Sequence, residues 1–285
     1  MNKVKIITDS TIDLSEELYK KYDIDVIPLH ITFPKENISK LDNIDIDCEN
    51  LYLSVEKYNE LPKTSACSVG ELIKKFEKYI NEGYDILFTG IGSGLSSNYQ
   101  NAKIAAQEFD EGRVYIVDTK SLSTGSALVT LKMCKYRDQG LSAQQIYEKT
   151  KDLGDKLSVK FCIDRLDYLF KGGRCSGMEM IFANVLHIHP IAKVIDGKLT
   201  VYKKPRGLYL KAVEEQINEF MSDLENMDLE HVFITHSGRM NGEEQYIYDK
   251  LKKFVPEENL HITRAGCTIS SHCGPKTIGI LYLFK

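Results

Sequence analysis

The chain has 285 residues and a formal net charge of −4, with 37 Lys and Arg against 41 Asp and Glu, which leaves no broad cationic field for nucleic acid or an anionic membrane. Hydrophobic residues make up 42% and charged residues 27%, the composition of a soluble globular protein with room for two ordinary domains. No run reaches membrane-span length, and Met1-Asn2-Lys3-Val4-Lys5 enters a strand without a signal-peptide apolar region, so the expected location is the cytoplasm with no integral membrane segment.

Residues 4–7 read as a short apolar strand closed by Thr8-Asp9-Ser10-Thr11, and Asp13 or Ser15 can cap a helix running through Tyr22. Residues 24–33 read as a second strand, interrupted by Pro28 and therefore at an edge or a bend. This β-α-β opening predicts a parallel sheet. Residues 37–48 are polar and acidic and read as a surface excursion before a helix over 49–59. In Lys63-Thr64-Ser65-Ala66-Cys67-Ser68-Val69-Gly70-Glu71, Ser68 and Glu71 form a capping box for a helix with Leu72, Phe76, Tyr79 and Ile80 on one stripe. Thr64 and Ser65 lie just outside that helix start, as further capping hydroxyls or as donors to an anion; the local pattern favours capping.

Residues 84–89 read as a buried strand and 99–109 as a helix, with Gly90-Ile91-Gly92-Ser93-Gly94-Leu95-Ser96-Ser97-Asn98 between them. A loop at the carboxyl end of a strand is where open α/β sheets bind ligands. Its glycines permit close backbone approach, its hydroxyls supply donors, and the free N–H groups of the helix start favour an anion. The same turn chemistry also serves plain chain reversal. The spacing is Gly-x-Gly-x-Gly, not the dinucleotide pattern, and no Gly-Lys-Ser/Thr follows, so a nucleotide is the less favoured occupant. Residues 113–117 form the next strand, and Asp118 reads as a routine cap for the helix of Leu128, Leu131, Met133 and Cys134 rather than a catalytic carboxylate.

After a helix over 142–153 the strand-helix alternation ends, and a boundary near Lys156 divides the chain into an α/β domain of residues 1–156 and an α+β domain of residues 157–285 with a mixed sheet. Residues 158–163 read as a strand, and Lys171-Gly172-Gly173-Arg174 as an exposed, sharply turned loop in which Arg174 is by default a solvated charge. Residues 191–202 predict a hairpin with a type I′ turn at Asp196-Gly197. An amphipathic helix over 207–224, a strand over 231–235, a helix over 243–254 and strands over 260–265 and 277–284 complete the pattern. The last loop, Ser270-Ser271-His272-Cys273-Gly274-Pro275, offers His272 as an anion contact or a general base. The seven cysteines include no Cys-x-x-Cys, which points to reduced thiols and away from a structural zinc site, even where Cys267, His272 and Cys273 cluster.

Five motifs then occur in order: Thr8-Asp9-Ser10-Thr11-x-Asp13-Leu14, Lys63-Thr64-Ser65, residues 90–100, Lys171-Gly172-Gly173-Arg174 and His272-x-Gly274-Pro275. Together they resemble the DegV family of bacterial fatty-acid-binding proteins over essentially the whole chain. The resemblance implies two α/β domains holding one long-chain fatty acid, with no catalytic residues and no cofactor. It implies a carrier that presents the carboxylate to a separate fatty acid kinase, whose acyl-phosphate product serves phospholipid synthesis. Thr64 and Ser93 would hydrogen-bond the carboxylate, with Ser65, Ser96 and His272 nearby, and Arg174 and Arg206 would lie towards the kinase. Burying a sixteen-carbon tail at ~0.8 kcal/mol per methylene gives on the order of 10 kcal/mol before entropic costs, so the tail sets affinity and the hydroxyls set orientation. The chain departs from the family pattern at Ser96-Ser97-Asn98 (usually Ser-Gly-Thr), at Lys276 (usually Gly) and at His187-Ile188-His189-Pro190. Ser97 is expected to restrict the loop backbone, and Lys276 to add a charge beside His272. Two other readings compete: a serine hydrolase using Ser93, His272 and an aspartate such as Asp9, although Ser93 lies outside a Gly-x-Ser-x-Gly elbow, and a phosphate- or nucleotide-binding module.

Overall fold

The computed structural model describes residues 2–176 and 188–285; His187 lies outside them. The chain opens with β1 (Lys3–Asp9), a 3-10 turn over Ser10–Ile12, α1 (Glu16–Lys21) and β2 (Ile24–Ile27). Ser15, not Asp13, caps α1 by accepting from the Leu18 N–H. Next come β3 (His30–Phe33), β4 (Ile38–Leu41), α2 (Cys48–Tyr58), β5 (Lys63–Ser65), α3 (Val69–Asn81), β6 (Tyr84–Thr89), α4 (Asn98–Ala106), β7 (Val114–Ile116), α5 (Ser123–Asp138) and α6 (Ala143–Thr150). β1, β2, β6 and β7 form a parallel sheet in the order β2-β1-β6-β7. Pro28 does more than bend a strand: it separates β2, an edge of this sheet, from β3, the centre of an antiparallel sheet β4-β3-β5. The stretch 37–48 is therefore not a pure surface excursion, because β4 pairs with β3 and Asp42 is 1% exposed.

The remainder contributes β8 (Leu157–Cys162), α7 (Leu166–Gly172), β9 (Cys175–Ser176), β10 (Ile191–Ile195), β11 (Lys198–Lys203), α8 (Tyr209–Asp223), β12 (Met227–His236), α9 (Glu243–Leu251), β13 (Leu260–Arg264), α10 (Cys267–Cys273) and β14 (Ile278–Phe284). Its strands make a mixed seven-stranded sheet, β13-β12-β14-β8-β10-β11-β9. The hairpin has the expected turn, with Asp196 at φ 49° and Gly197 at φ 72°. The segment expected as a final polar loop is instead the helix α10, so Ser270, Ser271 and His272 are helical. Cys267 at its first position is apolar in behaviour and fully buried, and Ser271 Oγ donates back to the Cys267 carbonyl at 2.6 Å. That short helical run leaves no apolar periodicity long enough to read from sequence.

α5 holds the two large sheets together. Every residue from Ser123 to Leu131 is buried, the mark of a helix enclosed on all sides. It packs on β1 of the parallel sheet and on β8, β12 and β14 of the mixed sheet. Leu128, Leu131 and Met133 share one apolar core with Ile6 and Leu87 of the first sheet and Val159, Phe161 and Phe233 of the second. Burying each such side chain is worth roughly 1.5–3 kcal/mol, so a continuous core joins the two halves.

Candidate functional site

In the order β2-β1-β6-β7 the chain leaves β1 in one direction for β2 and reaches β6 on the other side, so a crevice opens at the carboxyl ends of β1 and β6. Asp9, the last residue of β1, is wholly buried there. It accepts from the Ile91 N–H at 3.0 Å and from Asn98 Nδ2 at 2.8 Å, which clamps both ends of the 90–98 loop. Burial raises its pKa, and hydrogen bonds from Thr11, Ile91 and Asn98 pull it back.

Beside this crevice lies a cavity of about 260 Å³. Its apolar wall is assembled from every layer: Leu29, Leu95, Leu122, Phe161, Leu199 and Ile269. Thr64, Ser65, Ser96, His272 and Arg174 supply its polar lining. A smaller chamber of about 30 Å³ continues inward past Leu122, Phe161, Ile269 and Cys273. On the outer side a cleft of about 310 Å³ shares Thr64, Arg174 and His272 with the cavity and adds Lys63 and Lys171. Thr64 and His272 thus stand between an apolar interior and a cationic mouth.

Thr64 Oγ1 and His272 Nε2 are 2.8 Å apart, one from β5 and the other from α10. Burial, and then the Arg174 guanidinium, depress the His272 pKa to about 4, so the imidazole is neutral at pH 7. A Cβ at Gly172 would stand 2.7 Å from His272 Nδ1, and Gly173 at φ 66° ends α7 in the left-handed region. The two glycines therefore have separate jobs: the first makes room for the imidazole and the second turns the chain. Ser96 Oγ accepts from the Asn98 N–H at 3.2 Å, which leaves its own proton to donate.

Ser93 does not join this group. It is exposed, lies outside the cavity lining, and its Oγ donates to Asp118 at 2.5 Å while its N–H donates to the same carboxylate. Asp118 is correspondingly not a helix cap; Leu122 precedes α5 without a side-chain cap, and Asp118 ties the tip of the Gly/Ser loop to the turn after β7. The loop's glycines are likewise committed to protein, not to a ligand. A Cβ at Gly90 would strike the Asp9 carboxylate, one at Gly92 would lie 2.6 Å from the Ser121 nitrogen, and one at Gly94 would meet the Gly197 carbonyl. Arg174 lies at the cavity mouth with Nη1 donating to the Gly172 carbonyl at 2.8 Å, whereas Arg206 is exposed after β11 and lines neither cavity nor mouth. Among the described residues no group of three or more His, Cys, Asp or Glu is placed to hold a metal, and no helix is long and apolar enough to cross a membrane.

The sequence profile of the DegV family, described as uncharacterised, matches residues 3–285. The chain belongs to the DegV family. It is 30% identical to a DegV domain-containing protein of Clostridium perfringens, over 99% of both chains, and 32% identical to one of Staphylococcus aureus over the full length of both. Among solved structures it is similar to a DegV lipid-binding protein of Thermotoga maritima (TM-score 0.85, 30% identity, covering 99% and 98% of the two chains). It is also similar to a fatty-acid-binding DegV-family protein of Thermus thermophilus (TM-score 0.90, 26% identity, full coverage of both). The two-domain α/β fold is that of these DegV neighbours.

The departures from the DegV pattern are absorbed locally. Ser97 sits at φ −72°, ψ −4°, a conformation open to any residue, so the serine imposes no restriction. Asn98 is fully buried and bridges Asp9 to the Cys67 N–H, which its Oδ1 accepts at 3.1 Å. Lys276 takes a left-handed φ of 58°, a conformation that favours glycine, and it lines neither the cavity nor its mouth. His189 packs edge-on against Tyr209, with Nδ1 3.4 Å from Asp164. A hydrolase triad is not assembled: Ser93 is paired with Asp118, His272 with Thr64, and Asp9 with the loop backbone and Asn98.

Proposed function

We propose that this protein binds one long-chain fatty acid in the 260 Å³ cavity, tail inward and carboxylate at Thr64, Ser65, Ser96 and His272, and carries it to a fatty acid kinase. The observation that carries this reading is the apolar cavity ending on a hydroxyl–imidazole pair at the boundary with a cationic mouth. The fatty-acid binding described for the Thermus thermophilus relative, and for one of Thermotoga maritima at 29% identity, supports it. Neutral donors suit a ligand whose carboxylate must stay reactive, since a buried cation would neutralise it. Roughly a dozen methylenes at ~0.8 kcal/mol each give on the order of 10 kcal/mol before entropic costs, against roughly 1.5–3 kcal/mol for any one hydrogen bond to the carboxylate, so the tail is the largest single source of affinity. The exposure of Arg174 at the mouth supports a role for it in the approach of the kinase, and Arg206, exposed after β11, is assigned to the same partner surface. Ser93 stiffens the loop through Asp118 rather than touching the ligand.

Native mass spectrometry of freshly purified protein tests the reading. The expected spectrum carries a co-purifying fatty acid, with a raised melting temperature when palmitate or oleate is added to stripped protein. Ligand-free protein that ignores both acids overturns it, and a thermal shift with ATP alone favours the nucleotide-binding alternative.

A further inference from the structure

We propose that Asp13 and Asp42 are positioning residues for the carboxylate site: from the N-terminal half of the chain they grip the start of α10 and so fix where His272 stands. The proposal rests on the function proposed above for His272. Asp13 Oδ1 accepts from the Gly266 N–H and Asp42 Oδ1 from the Cys267 N–H, each at 2.8 Å. Their second oxygens accept from Ser123 Oγ at 2.5 Å and from Ser10 Oγ at 2.8 Å. The two acids therefore lock α10 to the first residue of α5 and to the turn after β1.

α10 needs such an anchor. It has seven residues, far below the dozen or so at which a helix holds itself, and Gly266 before it provides no side-chain cap. From Gly266 to His272 the helix rises about 9 Å, so a tilt at its start displaces the imidazole from Thr64. The acids are 3% and 1% exposed, and among the described residues neither has an ion-pair partner. Burial raises both pKa values, and Asp42 raises that of Asp13 further, while the N–H groups at the helix start and the two hydroxyls pull them back down. A helix that merely filled space could be capped by one exposed serine, as α1 and α3 are.

The test uses the full chain stripped of lipid, with Asp13→Asn and Asp42→Asn. Each keeps one acceptor for α10 but replaces the second carboxylate oxygen with an amide donor facing the Ser123 or Ser10 hydroxyl. The first readout is the His272 imidazole titration by NMR, assigned with His272→Gln; the second is palmitate affinity. In the wild type, burial and the Arg174 guanidinium are expected to bring the His272 titration down to about 4. The Asn variants are expected to move it towards the ordinary value by about a unit or more, and to weaken palmitate on the order of tenfold. Phe220→Leu, in the separate core beneath α8, lowers stability without moving His272. An unmoved His272 titration in folded Asn variants overturns the proposal. Should neither variant fold, Ser123→Ala, which removes one donor to Asp13, is read the same way. If wild-type protein binds no palmitate the fatty-acid reading fails, while the His272 titration still decides this one.

Discussion

At the scale of single residues, what separates the serines of the 90–98 loop is the direction of their hydroxyls. Ser96 Oγ lines the cavity with a proton to give, whereas Ser93 Oγ is spent on Asp118. Thr64 joins Ser96 at the cavity, paired with His272. A hydrogen bond to a charged ligand is worth roughly 1.5–3 kcal/mol. Thr64→Val and Ser96→Ala are accordingly expected to weaken palmitate about ten- to a hundredfold by titration calorimetry, and Ser93→Ala less than about twofold. Equal losses at Ser93 and Ser96 would place the carboxylate at the loop tip instead. The sequence puts both serines in one polar run, and nothing in their spacing tells which one faces inward. Thr64 was legible only through its place in a motif, since locally it reads as a helix-start hydroxyl.

Among the elements, the Gly/Ser loop shows how a correct motif can carry a different physical reason. Its glycines make room for Asp9, for the backbone at Ser121 and for the turn of the hairpin β10-β11. Gly94 meets that turn at Gly197, a residue from the other half of the chain. Gly94→Ala is expected to cost about 1–3 kcal/mol and to lower the melting temperature of the ligand-free protein by several degrees. An unchanged melt would mean that loop and hairpin separate freely. The helices with capping boxes, α3 and α6, were readable because a cap is a contact between residues three apart. α10 was not readable, because the groups that hold its start, Asp13 and Asp42, are 253 and 225 residues away from the N–H groups they accept. β4 was missed for a similar reason: Ile38 and Ser39 are exposed, and only pairing with β3 makes the segment a strand.

For the molecule as a whole, the buried histidines make stability depend on pH. Burial, followed by Arg174 for His272 and by His261 for His231, depresses both pKa values to about 4 from an ordinary 6.5. The sign follows directly. Above pH 6.5 both rings are neutral folded or unfolded; between 6.5 and 4 the unfolded chain binds protons that the folded chain refuses, so stability falls as pH falls. Buried Asp9, Asp13 and Asp42, with raised pKa values, act in the opposite sense: their stabilisation is whole below about 3.8 and is lost as pH rises through the folded values. Comparing variants cancels the acids. Between pH 7 and pH 5, His272→Gln is expected to lose roughly 2 kcal/mol less than the wild type in urea melts; parallel curves would show an imidazole that titrates normally.

The sequence by itself determined what depends on neighbours along the chain: the parallel opening, the capped helices, the type I′ hairpin, and a motif set that places the chain in its family. The tertiary structure decided which hydroxyls face a common space, that α5 is shared by two sheets, and that Leu29, Phe161, Leu199 and Ile269 enclose a cavity. The physical reason is one of range. Caps, turns and periodicity are satisfied within a few residues, whereas a cavity wall is any apolar side chain that folding brings near, and an isolated leucine looks the same in sequence whether it packs a core or lines a hole.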